Sequence, residues 1–93
     1  MGTFHDGLSE LHGITVVVDT TGPAVFVGRC HDLEADRIIL LDADQHADGD
    51  RGISKDAFVR RAAEVGVWGR HARVAIPVAE IASIRRLGEI PFD

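Results

Sequence analysis

The chain has no tyrosine and no asparagine, one cysteine, one lysine, one tryptophan and three prolines among its 93 residues. Each shortage closes off some chemistry. A single thiol, Cys30, excludes an internal disulfide and any site built from several thiolates of one chain. Lying within an apolar run, it reads as an inert buried side chain and not as a nucleophile. No apolar run approaches the roughly 20 residues that span a bilayer, so no membrane partner is expected. The opening MGTFHDGLSE carries neither the basic patch nor the apolar stretch of a signal peptide, and the expected address is cytoplasmic. A net charge of −5 argues against a general face for phosphate, and nine of the ten basic residues are arginine, with Lys55 the exception. No glycine-rich phosphate loop follows a strand, and Ser9, Ser54 and Ser83 lack the setting of a nucleophile elbow. His5, His12, His31 and His71 are scattered in turns and at strand ends. Neither an enzyme nor a cofactor is expected.

What is present is a dense β pattern. With 45% hydrophobic and 27% charged residues the sequence reads as one globular domain over residues 1–93. Three apolar runs, Ile14–Val18, Ala24–Cys30 and Ile38–Leu41, are rich in Val and Ile and separated by the turn-like clusters Asp19–Pro23 and His31–Asp36. They read as the strands of an antiparallel meander, 14–19, 24–30 and 37–43. Val16, Val17 and Val18 are consecutive, as are Ile38 to Leu41, so both faces of these strands are apolar. Two such strands require either closure into a barrel or a covering partner. Gly28 in mid-strand predicts a sharp bend or a close approach of backbones.

On either side of the meander the pattern is sparser. Phe4, Leu8 and Leu11 fall on one helical face, predicting a short helix over residues 3–12 that Gly13 ends. Residues 42–53 read as an acidic loop. Ser54 is a good N-cap for a helix to Val65, with Phe58, Ala62 and Val65 as its apolar stripe and Gly66 as its stop. Trp68 is expected to lie against the barrel. Strands follow at 71–76 and 81–87, joined by one turn, and the three-residue spacing of Ile81, Ile84 and Leu87 predicts a bulge.

This order of elements, with Leu11, Gly13, Val16 and Val18, then Gly22, Gly28 and Asp32, then Leu41-Asp42, resembles the Sm-like (LSm and Hfq-type) family. The likeness covers about residues 8–44 and, more loosely, 71–87. It implies a mainly β fold: a five-stranded SH3-like barrel with a short N-terminal helix and a helical insertion, about 54–65, between strands three and four. It also implies a divergent, bacterial or phage-type member that assembles with itself. Strand four of one subunit would pair head to tail with strand five of the next, giving a pentamer to heptamer.

The same resemblance implies RNA as a partner and points to Asp32, Glu34 and Asp36, with Arg85 and Arg86 as the basic pair beyond them. The residues depart from the family pattern. Glu34 stands where a stacking aromatic belongs, Asp36 stands where Asn belongs, and Ile76-Pro77-Val78 lacks the arginine of the second motif. A carboxylate only accepts hydrogen bonds, whereas Asn also donates. The expectation is a non-catalytic, ring-forming protein that binds RNA by some route other than the usual base pocket. The alternative is a protein-interaction or scaffolding module of the same fold that binds no nucleic acid, or a metal-binding acidic-loop protein.

Asp44-x-His46-x-Asp48-Gly49 resembles the start of an EF-hand loop, but Lys55 stands where the bidentate Glu would be. A looser divalent site from Asp44, His46 and Asp48, with Asp42 and Asp50 nearby, is the remaining metal candidate. Arg60 and Arg61 on the helix are a second basic pair.

Overall fold

A computed structural model describes residues 11–91. Five antiparallel strands run β1 (Thr15–Thr20), β2 (Ala24–Leu33), β3 (Arg37–Ala47), β4 (His71–Pro77) and β5 (Ile81–Arg86). Among the described residues one α-helix, α1 (Lys55–Val65), lies between β3 and β4, and a single 3-10 turn, Val78–Glu80, joins β4 to β5. The strands form one sheet in the order β4-β3-β2-β1-β5. The expected closed barrel is therefore an open sheet, because β4 and β5 are its two edges and no ladder joins them among the described residues. The expected helix over residues 3–12 lies outside the described residues apart from its end, where Leu11 is buried and Gly13 sits at φ 83.

Alternation along the strands builds two cores, one on each face of the sheet. Val16 and Val18 of β1, Cys30 of β2, Ile38 and Leu40 of β3 and Ile76 of β4 form the first, together with Leu11. Val74 of β4 and Ile81 and Ile84 of β5 also pack there, so the sheet curls until its two edge strands share one apolar cluster. Burial pushes the Cys30 thiol pKa up, with the charge of Asp32 as a second cause. This keeps it protonated and inert, as the sequence implies.

The second core holds Val17, Val25 and Val27 under Val59 and Ala62 of α1, with Ile90 beside them. Full burial of each valine contributes about 1.5–3 kcal/mol. An 11-residue helix is marginal alone, so docking on these valines sustains it. The doubly apolar β1 thus finds its cover within the chain, and its composition no longer calls for a partner.

Ser54 accepts the N–H of Ala57 and caps α1. The apolar stripe differs from the expected one. Val59 and Ala62 are buried, Phe58 is half-buried, and Val65 is 62% exposed. Phe58 packs at the margin of this core and stacks on His46 of β3, so the face that meets the sheet centres on Val59 and Ala62. Trp68 does not lie against the sheet, being 78% exposed.

The bend falls where Gly28 predicts it. Val27 pairs with Asp44 and Arg29 with Leu41, so Asp42 and Ala43 together oppose Gly28 in a bulge of β3. Asp42 takes φ 51 there. A Cβ on Gly28 would stand 2.6 Å from the Ala43 Cβ and 2.9 Å from its Cα. A second bulge lets Ala82 slip out of register between Asp19↔Ser83 and Thr20↔Ile81, as the spacing of β5 predicts. The Arg29–Asp42 ion pair at 3.0 Å bridges the bend but is exposed and contributes little.

Gly28→Ala is accordingly expected to lose about 1–3 kcal/mol by forcing β2 and β3 apart. The urea midpoint should fall at constant slope, and Ala43→Gly in the same chain should restore part of the loss. An unchanged midpoint for Gly28→Ala would show that the bend does not depend on this approach.

Candidate functional site

Two groups of polar residues stand out, one along the far half of β3 and one at the β2–β3 turn. β3 continues four residues beyond the expected end, through Ala47, because Ala24 to Val27 supply a partner strand. Residues 44–47, expected in an acidic loop, thereby acquire strand periodicity, with Asp44 and His46 buried at i and i+2 and Asp48 in the turn that follows.

Each of the three holds a different part of the insertion. Asp44 Oδ2 accepts the N–H of Trp68 at 2.6 Å, and its Oδ1 accepts that of Arg70 at 3.0 Å. His46 Nε2 is 2.7 Å from the carbonyl oxygen of Ile53. A carbonyl only accepts, so Nε2 carries the proton. The imidazole lies flat on Phe58, with centroids 4.7 Å apart and planes 6° apart. Asp48 Oδ1 accepts the N–H of Lys55 at the first turn of α1, where a carboxylate also suits the helix dipole.

Among the described residues no three His, Cys, Asp or Glu side chains gather as a ligand set. The donors are already engaged with backbone groups, and Asp42 is turned to Arg29. The strip fastens the insertion to the sheet.

Lys55 completes the fastening. Its ammonium donates to Asp19 Oδ1 at 2.7 Å, to the Thr20 carbonyl at 3.0 Å and to the Gly22 carbonyl at 2.6 Å. Three donors meet three acceptors around the β1–β2 turn. The planar fork of an arginine does not fit that arrangement, whereas a compact ammonium does. A lone lysine in an arginine-rich chain was the available signal, and composition alone does not say what it grips.

At the other group, Asp32 Oδ1 accepts the N–H of Leu33 next to it. Arg37 lies between the remaining two carboxylates, with its Nε 3.1 Å from Asp36 Oδ1 and 3.4 Å from Glu34 Oε1. Hydrogen bonding to Arg37 and its charge hold the Asp36 carboxyl below the ordinary carboxylate range. The same partners raise the Arg37 pKa. The Val78 N–H donates to the Asp36 carbonyl, which brings the β4–β5 connector against this turn. Asp36, Arg37, Ala75 and Pro77 line a shallow pocket of about 280 Å³ there. Arg37 is the residue that sequence reasoning missed, although its spacing from Glu34 and Asp36 was visible. Arg85 and Arg86 are on β5 opposite Val17 and Val16, away from the β3–β4 side of the sheet.

This frame is found in known structures. It matches the Sm protein of Pyrococcus abyssii, solved in complex with a uridine heptamer, over 88% of this chain and 94% of that one, with 18% identity and a TM-score of 0.62. A chain of the NatC complex bound to CoA matches over 85% of this chain and 82% of its own, with 18% identity and a TM-score of 0.56. A chain of the NatC complex bound to a Gag peptide and CoA matches over 84% and 87%, with 17% identity and a TM-score of 0.53. Identities this low establish likeness of fold, and the fold is Sm-like. No protein-family model matches the sequence, and no curated protein matches it.

Asp44→Asn tests the fastening. An amide has one acceptor oxygen, so one of the two backbone N–H groups at Trp68 and Arg70 loses its partner, at a cost of about 1–3 kcal/mol. Faster amide exchange confined to residues 66–71 and a lower urea midpoint are expected. Unchanged exchange there would show that the segment is held by something else.

Proposed function

We propose that this chain is a non-catalytic subunit of a head-to-tail ring, with RNA as its partner. The observation that carries the assembly is the open sheet, whose two edges belong to different strands, β4 and β5. Unpaired edges invite pairing. Two unlike edges that complement each other repeat head to tail, and the repeat closes as a ring where the rotation allows. Val74, Ile81 and Ile84 are only half-buried at these edges, and strand pairing would cover them further.

Light scattering at micromolar concentration is expected to give a mass of about five to seven chains. A monomer would overturn the ring. Proline scanning tests the edge itself. Of the neighbours Val74 and Ala75, one directs its N–H toward β3 and the other toward the open side. Proline at the second position should abolish the ring and leave the fold intact, whereas proline at the first should destabilise the fold.

RNA as partner draws on the Sm-like frame, whose Pyrococcus abyssii counterpart was solved with a uridine heptamer. The pocket between the β2–β3 turn and the β4–β5 connector is poorly suited to a base. It offers carboxylates, and Arg37 is tied to two of them. Glu34→Tyr combined with Asp36→Asn supplies a stacking ring and an amide and releases Arg37. Affinity for uridine-rich RNA should rise, and unchanged binding by the folded variant would count against this placement of the pocket.

A scaffolding module without nucleic acid is the second reading, favoured by the net charge of −5 and the carboxylates at this turn. Labelled oligonucleotides titrated over a salt series separate the two, since phosphate binding weakens steeply with salt.

A further inference from the structure

Trp68 is the only tryptophan of the chain, and it stands 78% exposed. Such a ring ordinarily finds a core. Its backbone is nonetheless firmly held. The N–H groups of Trp68 and Arg70 both bind Asp44, and Gly69 between them takes φ 71, where a Cβ would stand 3.2 Å from that of Asp42. The side chain is therefore presented to solvent from a fixed point. The Arg70 guanidinium carbon lies 5.9 Å from the ring centroid, within reach of a cation–π contact.

Beside this ring opens a groove of about 420 Å³ between the far half of β3, the turn at residues 50–53 and α1. Arg51, Arg61 and Arg70 line it, with His71 alongside, and the opposing carboxylates are Asp44 and Asp50. Both oxygens of Asp44 already accept backbone N–H groups. Among the described residues the ion pairs engage Arg29, Arg37 and Lys55, and none engages the three arginines of the groove. An acidic chain thus gathers, around one exposed aromatic face, three guanidinium groups that form no ion pair among the described residues.

We propose that this groove binds single-stranded nucleic acid, with one base stacked on Trp68 and the flanking phosphates against Arg51, Arg61 and Arg70. Aromatic faces set in a cationic groove are how proteins hold single strands, because every base has a π-face and every nucleotide a phosphate. The volume is in the range that takes one small ligand. An apolar protein partner would strand three cations without counter-charge in a dried interface. The inference deepens the RNA part of the function proposed above and is independent of the ring.

Tryptophan emission reports on Trp68 alone, so short oligo(U) and oligo(dT) titrated at low salt give a direct reading. Quenching is expected with both strands, since stacking and phosphate contacts need no 2′-hydroxyl, and the tighter strand identifies the source. Three phosphate contacts predict a slope of about −2 for log affinity against log salt. Trp68→Ala should weaken binding of a labelled oligonucleotide, read by anisotropy, by about tenfold or more. Arg61→Gln with Arg70→Gln should flatten the slope to about −0.7. All three side chains are exposed, and circular dichroism checks that the variants fold. Oligonucleotide binding that leaves Trp68 emission and the Trp68→Ala affinity unchanged would overturn this site while leaving RNA as a partner. No binding at low salt would overturn both. Emission that shifts with protein concentration alone would make the ring a self-association surface and overturn the site.

Discussion

The close approach of Gly28 to Ala43 decides the shape of this molecule. With no Cβ on β2 and a methyl on β3, the two strands come together where β3 carries an extra residue. A bulge at that point turns the strand and increases its twist, and the sheet curls around the first core. Everything else follows from the curl. The concave side gathers Val16, Val18, Ile38, Leu40 and Ile76. The convex side of β1 and β2 becomes a seat for one helix. The edges β4 and β5 come near enough to share a core and are still not joined.

β3 then does two jobs along its length. Its first half is apolar on both faces and buried. Its second half alternates, and the inward members of that alternation are Asp44 and His46, which bind backbone groups of the insertion. Burying a carboxylate is costly unless hydrogen bonds compensate it, and Asp44 meets that condition with two charge-assisted bonds. The strip determines where the insertion leaves the sheet and returns to it. Lys55 ties the same insertion to the β1–β2 turn from the other side. A helix too short to persist alone is thereby fixed at both ends and along one face.

The strands, the bulges at Gly28 and in β5, the Ser54 cap and the helical insertion were all legible in the sequence. Each is local: it rests on alternation, on a residue without a side chain, or on a capping hydroxyl. Closure of the sheet was not legible, because whether β4 meets β5 depends on total curl and not on any one residue. The cover of β1 was missed for a related reason. Consecutive valines show that both faces are buried and do not show by what. Asp44, His46 and Asp48 had the composition of a ligand set, and only their partners, 7 to 26 residues away in the chain, reveal a fastening. Trp68 was expected to lie against the barrel, whereas two hydrogen bonds on the backbone around it hold it out.

The two ends of this electrostatic pattern explain why an Sm-like frame here would carry its ligand on the insertion. At the β2–β3 turn, Glu34 and Asp36 bind the one guanidinium that a phosphate might have used. At the insertion, Asp44, one of the two carboxylates lining the groove, is occupied by backbone N–H groups, and none of the ion pairs among the described residues engages the arginines there. A site with about three phosphate contacts is weak by itself and sensitive to salt. Repetition changes that. When several copies are linked, the second contact is made at high effective concentration, and avidity exceeds the single-site affinity by about 10²–10⁴ without any new interaction, provided the strand can span neighbouring sites. The proposed ring, held together at its strand edges, would supply that repetition. The proposed assembly and a weak aromatic, cationic groove would in this sense be complementary: the first would make the second sufficient.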